Sequence, residues 1–284
     1  MKKFLKIFFG TILVLIVLLV GVGAMFFYKV KNGFPVSYET EKPVLSIPAN
    51  KSAILVFSKT TGFRHAESID ASIPAIKKME EKNNWYVYAT EQGGVFNAEQ
   101  LKQFKVVVFN NSTGRVLSDE QQKALQEYVE NGGSLLGIHG AGDNSHHAWD
   151  WYTNEFLGAV FSHHSINPHL QKTEVKLETD IDTLLGKNLA KSWNNTDEWY
   201  VFLSQPKGAK VLYYIDGDKI IPNGNMLWIK DKNFGMGKYH PVAWYRQMGK
   251  GKAFYTSMGH SKDVWTNPDY LKMIENSINW TIKK

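Results

Sequence analysis

Two short segments concentrate the residue types that move protons. Lys59 to His65 (KTTGFRH) and His139 to His147 (HGAGDNSHH) each combine glycine with histidine, the side chain whose ordinary pKa lies nearest neutral pH. Gly137-Ile138-His139-Gly140-Ala141 copies the strand-to-helix elbow G-x-nucleophile-x-G, with histidine where serine or cysteine would attack. The glycines are expected to let His139 take a tight, exposed conformation. Without a hydroxyl or thiol at that position, acyl transfer through a covalent intermediate loses its nucleophile. The plainer alternative is that Gly140 and Gly142 make a turn and His139 is a hydrogen-bonded core residue.

Arg64-His65 could pair an anion or sugar clamp with a general base, or simply lie in a solvated loop. His146-His147 and His163-His164 look like metal tracts, but neighbours on an extended strand face opposite ways, so at most one of each pair is expected in one site. The same adjacency counts against Asp197-Glu198 as a glycosidase pair, because those two roles need carboxylates roughly 5–9 Å apart across the bond. Gly235-Met236-Gly237 and Gly249-Lys250-Gly251 lack the strand-turn-helix context of a dinucleotide site and read as turns. The tryptophans, Trp149, Trp151, Trp193, Trp199, Trp228 and Trp244 among them, read mainly as core, with one or two available to stack on a sugar.

The elements that must position these residues alternate in type. Ser52 to Ser58, Trp85 to Ala89, Lys105 to Asn110 and Ser134 to Ile138 are short apolar runs of the kind buried on both faces of a parallel sheet. Ser118 with Gln121 forms a capping box before a helix whose stripe is Leu125, Tyr128 and Val129 and whose stop is Asn131-Gly132-Gly133. Further on, Lys210 to Asp216, Val242 to Gln247 and Lys252 to Ser257 read as strands, and a helix opens near Pro268 with Leu271, Ile274, Ile278 and Ile282 in register. Strand and helix alternation predicts an open α/β sheet covered on both faces, with ligands beyond the carboxyl ends of the strands. There is no internal repeat.

Ahead of this body, Lys2, Lys3 and Lys6 precede an apolar run from Phe8 to Phe27, about the ~20 residues that span a bilayer. A cleaved signal peptide has a shorter apolar stretch of roughly 7–15 residues, so an uncleaved anchor over residues 1–30 is the favoured reading, with the body extracytoplasmic. Residues 31–51, with Gly33, Pro35, Pro43 and Pro48, read as a linker, and 52–284 as one domain. The chain has no cysteine, which excludes cysteine lipidation, and its net charge of +6 is scattered, which argues against a nucleic-acid partner.

Taken together, Thr61-Gly62-Phe63-Arg64-His65, Gly137-Ile138-His139-Gly140-Ala141, Asp197-Glu198-Trp199-Tyr200, His240-Pro241-Val242-Ala243-Trp244 and Tyr255-Thr256-Ser257-Met258-Gly259-His260 resemble the ThuA-like (trehalose utilisation) family. Their order matches from about Ala53 to Trp280. The resemblance implies a class I glutamine amidotransferase-like fold, related to flavodoxin-like sheets: open, mostly parallel, with helices on both faces. It implies that the amidotransferase cysteine is replaced, here by His139. It further implies catabolism of trehalose or related disaccharides alongside an oxidoreductase of the same pathway that makes 3-keto sugars. The membrane segment is a departure, since it separates this chain from a soluble cytoplasmic dehydrogenase.

Carried over at motif positions, His65, His139, Asp197, Glu198, His240 and His260 are the expected catalytic residues. Arg64, Trp199 and Trp244 are the expected saccharide contacts. No cofactor is implied, although histidine with Glu198 could ligate a divalent metal. His139 is expected in a cleft with His65 and with His240 or His260, on the premise that the first and fourth strands are neighbours. The leading reading is a hydrolase or lyase acting on a saccharide or keto-saccharide. Its rivals are a carbohydrate-binding module without catalysis and an interaction protein on an inactive fold.

Overall fold

The computed structural model describes residues 2–32, 36–146 and 149–283. His147 lies outside them. One helix, Lys2–Asn32, contains an apolar stretch from Lys2 to Phe26 with mean hydropathy 2.8, long and apolar enough to cross a membrane or to serve as a signal sequence. It belongs to a unit ending at Ser37, and the body begins at Tyr38.

Among the described residues eleven strands build the body: β1 (Ser52–Phe57), β2 (Trp85–Thr90), β3 (Val106–Asn110), β4 (Ser134–Ile138), β5 (Phe161–His164), β6 (Gln171–Leu177), β7 (Ser192–Asp197), β8 (Tyr200–Phe202), β9 (Lys210–Asp216), β10 (Tyr239–Met248) and β11 (Gly251–Thr256). Nine of them form one sheet in the order β2-β1-β3-β4-β11-β10-β9-β6-β7, and β5 pairs with β8 separately. From β2 through β11 the neighbours are parallel; β10, β9, β6 and β7 continue antiparallel. This is the open α/β sheet expected. The first and fourth strands are not neighbours, however, because β3 lies between them. Their loops meet by bridging over the end of β3.

Alternation along β1 explains the two cores. Ile54 and Val56 join one apolar layer while Ala53, Leu55 and Phe57 join the other. Helices Ala66–Lys77 and Pro268–Ile282 cover the first layer through Ile76, Ile274 and Ile278; helix Asp119–Glu130 covers the second through Leu125 and Val129. The capping box of Ser118 and Gln121 is formed, and Pro268 opens its helix behind the Asn267 cap.

The segment expected as a linker is only partly one. From Tyr38 it lies on the body: Glu39 pairs with Lys59 at 2.6 Å, Gln100 donates to the Pro43 carbonyl at 2.5 Å, and Leu45 and Ile47 pack on the second layer. A chain starting at Ser52 is therefore expected to be less stable by about 2 kcal/mol than one starting at Tyr38, since two partly buried aliphatic side chains are lost. Urea unfolding of the two measures this, and equal midpoints would refute it.

Candidate functional site

The site grows from four adjacent parallel strand ends. Past β1 the chain runs to His65, at the amino terminus of helix Ala66–Lys77. Thr113, past β3, holds that loop through its carbonyl, which accepts the Thr61 and Gly62 amides at 2.8 and 3.2 Å. Past β4, His139 has φ +45°, a left-handed conformation that costs a non-glycine residue roughly 1–2 kcal/mol. It is held there by its own groups: Nδ1 donates to the Ser257 carbonyl at 2.7 Å, and its carbonyl accepts the Tyr255 hydroxyl at 2.9 Å. Gly140 then lets the loops touch, because a Cβ there would stand 2.9 Å from Thr113 and 3.1 Å from the His65 ring.

Past β11, Ser257 to His260 meet the end of β7. Asp197 accepts the amides of Gly259 (2.9 Å), His260 (3.1 Å) and Glu198 (2.9 Å), and the Asn195 amide group at 3.1 Å. Its carboxylate is spent on backbone. By this means the next residue, Glu198, is aimed into the histidines.

Glu198 Oε2 lies 3.2 Å from His139 Nε2 and 3.4 Å from His260 Nδ1, and those two nitrogens are 3.2 Å apart. Glu198 Oε1 lies 3.2 Å from His164 Nδ1 and hydrogen-bonds His169 Nε2. The His65 ring stands edge-on to those of His139 and His260, with centroids 4.7 and 5.1 Å away. Ligand atoms of His65, His139, His260 and Glu198 fall within 4.8 Å of one another, as do those of His164, His169 and Glu198, so either set could hold a metal ion. Above them opens a cleft of about 450 Å³, lined by Phe63, Asp143, Phe161 and Tyr200 as well as by His65, His163, His164, His169, His260 and Glu198.

Burial opposes charge on Glu198, but hydrogen bonds from His139 and His260 outweigh it and hold the carboxyl far below the usual range. Burial likewise works against a charged His139, and the Glu198 contact reverses this and raises its pKa. His65 is driven down to about 2 by burial, with the neighbouring His139 and His260 adding to it, so it is neutral. Asp143 moves the other way from Glu198: burial raises it to about 6 against hydrogen bonds from the Ser145 hydroxyl and amide. Asp197 is also raised by burial, opposed by His139 and the three amides.

Of the residues expected from sequence, His65, His139, Glu198 and His260 come together. His139 is fully buried rather than exposed and does not line the cleft; its Nε2 contacts Glu198 and His260. Asp197 lies beneath as a backbone anchor. His240 is outside the cluster: it is buried, its Nε2 donates to the Tyr200 carbonyl at 2.9 Å, and its Nδ1 has no partner. Arg64 pairs with Glu91 at 2.7 Å and is absent from the cleft lining. Trp199 and Trp244 are each 1 % exposed, with ring N–H groups donating to the carbonyls of Gln171 and Leu157, so neither presents a face to a sugar. Phe63, by contrast, is 70 % exposed at the cleft.

Both residues of the tract His163-His164 line the cleft, but only His164 contacts Glu198, while His163 bonds the Pro222 carbonyl at 2.8 Å. His169 and Asp143 were not legible as site residues. His169 sits in the connection before β6, with no motif around it, and Asp143 is one polar residue in a polar loop.

A family model described as ThuA, trehalose utilisation, matches residues 53–281. A ThuA-like protein from Bacteroides uniformis has a similar structure, with 21% identity and a TM-score of 0.67 over 89% of this chain and 96% of that one. A ThuA-like protein from Parabacteroides merdae follows at 16% identity and TM-score 0.61, over 82% and 90% of the two chains. A cytoplasmic protein from Salmonella typhimurium has 12% identity and TM-score 0.55, over 82% of this chain and all of the other (100%). At these identities the likeness concerns the fold. Among curated protein sequences, none matches the chain.

His240 provides a test of the packing behind the cleft. Burial lowers its pKa to about 4, the Tyr200 hydrogen bond opposing. Its unfolded value is about 6.5, so between those pH values the unfolded chain binds the extra proton. The resulting stability is complete above about pH 6.5 and is lost as pH falls toward 4, by about 1.4 kcal/mol per pH unit. In His240→Gln, which keeps a donor toward Tyr200, urea unfolding across that range should have a slope shallower by this amount; an unchanged slope would contradict the assignment.

Proposed function

The chain belongs to the ThuA (trehalose utilisation) family, and from that premise we propose that it is a sugar-processing enzyme that cleaves a keto-glycoside by acid–base chemistry. The observation that carries this reading is the pairing, in one cleft, of a carboxyl raised to about 6, Asp143, with the strongly acidic Glu198 and its histidines. Carboxyl groups driven apart in pKa divide the roles of acid and base.

A ketone at carbon 3 acidifies the proton at carbon 2. Glu198 Oε1 orients His164 and His169 as carboxylate–imidazole pairs, each leaving its other ring nitrogen free to take that proton. His65 and His260 line the cleft as donors to the developing enolate. The electron pair of the enolate then forms a carbon 1–carbon 2 double bond and expels the glycosidic oxygen, which takes its proton from Asp143. The products are an unsaturated ketone and the free alcohol of the second sugar; addition of water to the former completes a net hydrolysis. Phe63 supplies a stacking surface for a sugar ring. No covalent nucleophile is needed, in keeping with histidine at the elbow.

The apolar helix ahead of the body, with Lys2, Lys3 and Lys6 in its first turns, supports an anchor that holds the body outside the cytoplasm. A fusion partner after Lys284 that functions only outside the cytoplasm should be active; activity confined to a cytoplasm-only partner would reverse this topology.

Turnover of a 3-keto disaccharide should be accompanied by exchange of the carbon 2 proton with deuterated water. Rapid hydrolysis of unoxidised trehalose with the keto-sugar inert would reject the mechanism. Because the acid must be protonated, kcat should fall about tenfold per pH unit above pH 6. Asp143→Asn should abolish that limb and lower kcat by roughly 10²-fold or more. An unchanged profile would remove Asp143 from the role.

A further inference from the structure

His139 Nε2, His260 Nδ1 and Glu198 Oε2 form a triangle with sides of 3.2, 3.2 and 3.4 Å. Ligand atoms around a tetrahedral zinc ion with bonds of about 2.0–2.1 Å stand about 3.3–3.4 Å apart. The triangle therefore has the dimensions of one face of such a coordination shell, before any ion is supplied.

The proton arrangement points the same way. His139 Nδ1 must carry a proton, because its partner at 2.7 Å is the Ser257 carbonyl. In the neutral ring, Nε2 is then a lone pair, and it faces a carboxylate oxygen and a second imidazole nitrogen. Protons can satisfy two sides of this triangle, one on each ring pointing at Glu198, but the third side then sets two N–H groups against each other. A cation at the centre satisfies all three. An imidazole that donates its other N–H to a backbone carbonyl is also the usual support of a metal-ligating histidine.

We propose that this triangle is a transition-metal site of the zinc type, with His65 completing a set of three histidines and one carboxylate. The His65 ligand nitrogen lies within 4.8 Å of the other three ligand atoms, and its Nδ1 is buried without a hydrogen-bond partner. Imidazole-rich donors select zinc or a first-row neighbour over magnesium or calcium, which prefer all-oxygen shells. Glu198 and His260 line the cleft, so the ion sits at its floor, its tetrahedral shell closed by four protein ligands. Asp197, through the backbone of Glu198 and His260, is a positioning residue for this site.

The test uses the full-length chain in detergent, stripped with chelator and dialysed against Zn²⁺ or Co²⁺, with bound metal counted by elemental analysis. One equivalent per chain is expected, with visible Co²⁺ absorption of tetrahedral intensity. Glu198→Gln and His260→Ala should weaken binding by at least about 10²-fold, and Asp197→Asn by about 10- to 100-fold. His163→Ala, at the cleft but bonded to Pro222, should bind as the parent does. Thermal unfolding of the metal-free variants establishes that they are folded. Less than a tenth of an equivalent bound by the parent, or full binding by folded Glu198→Gln and His260→Ala, would overturn the proposal. Because no sugar enters the measurement, its failure leaves the keto-glycoside reading untouched, and failure of that reading leaves the metal site standing.

Discussion

One buried carboxylate organises the cleft. Glu198 is 3 % exposed, and removing an ionised carboxylate from water is costly unless charge or hydrogen bonds replace the lost hydration. Here both oxygens are engaged by imidazoles, His139 and His260 on one and His164 and His169 on the other. The same contacts raise His139 and lower Glu198, while burial leaves His65 neutral. The electrostatic character of the cleft therefore follows from one side chain and the rings it collects.

Holding Glu198 there requires a second carboxylate, one that does not line the cleft. Asp197 binds the amides of Gly259, His260 and Glu198, tying the end of β7 to the loop after β11. These strands are far apart in the order of the sheet, four positions from one another. The adjacency that makes Asp197 and Glu198 a poor glycosidase pair suits them to this division, one facing the backbone and the other the cleft. The other carboxyl that lines the cleft with Glu198 is instead Asp143, from the loop after β4.

The elbow after β4 shows how strain is accommodated. His139 is left-handed at φ +45°, and the cost is met by its hydrogen bonds to Ser257 and Tyr255 and by the close packing that Gly140 permits. A serine or cysteine in such a turn projects outward to attack. The imidazole here turns inward under the loops, which accounts for its complete burial.

The sequence by itself determined the parts that depend on local pattern. The buried runs of β1 to β4, the Ser118–Gln121 box, the β10–β11 turn and the helix from Pro268 each follow from periodicity and capping within a few residues. Motif order also made the family legible, together with His65, His139, Glu198 and His260. Tertiary structure alone decided which polar residues share a space. Trp199, Trp244 and His240 resemble ligand contacts by residue type but are core, Arg64 turns to Glu91, and His169 and Asp143 enter the site without any motif. The reason is that secondary structure depends on neighbours along the chain. A cleft depends on loops brought together by the order of strands, here β3 lying between β1 and β4 and β7 returning to β11, and no spacing within one segment records that order.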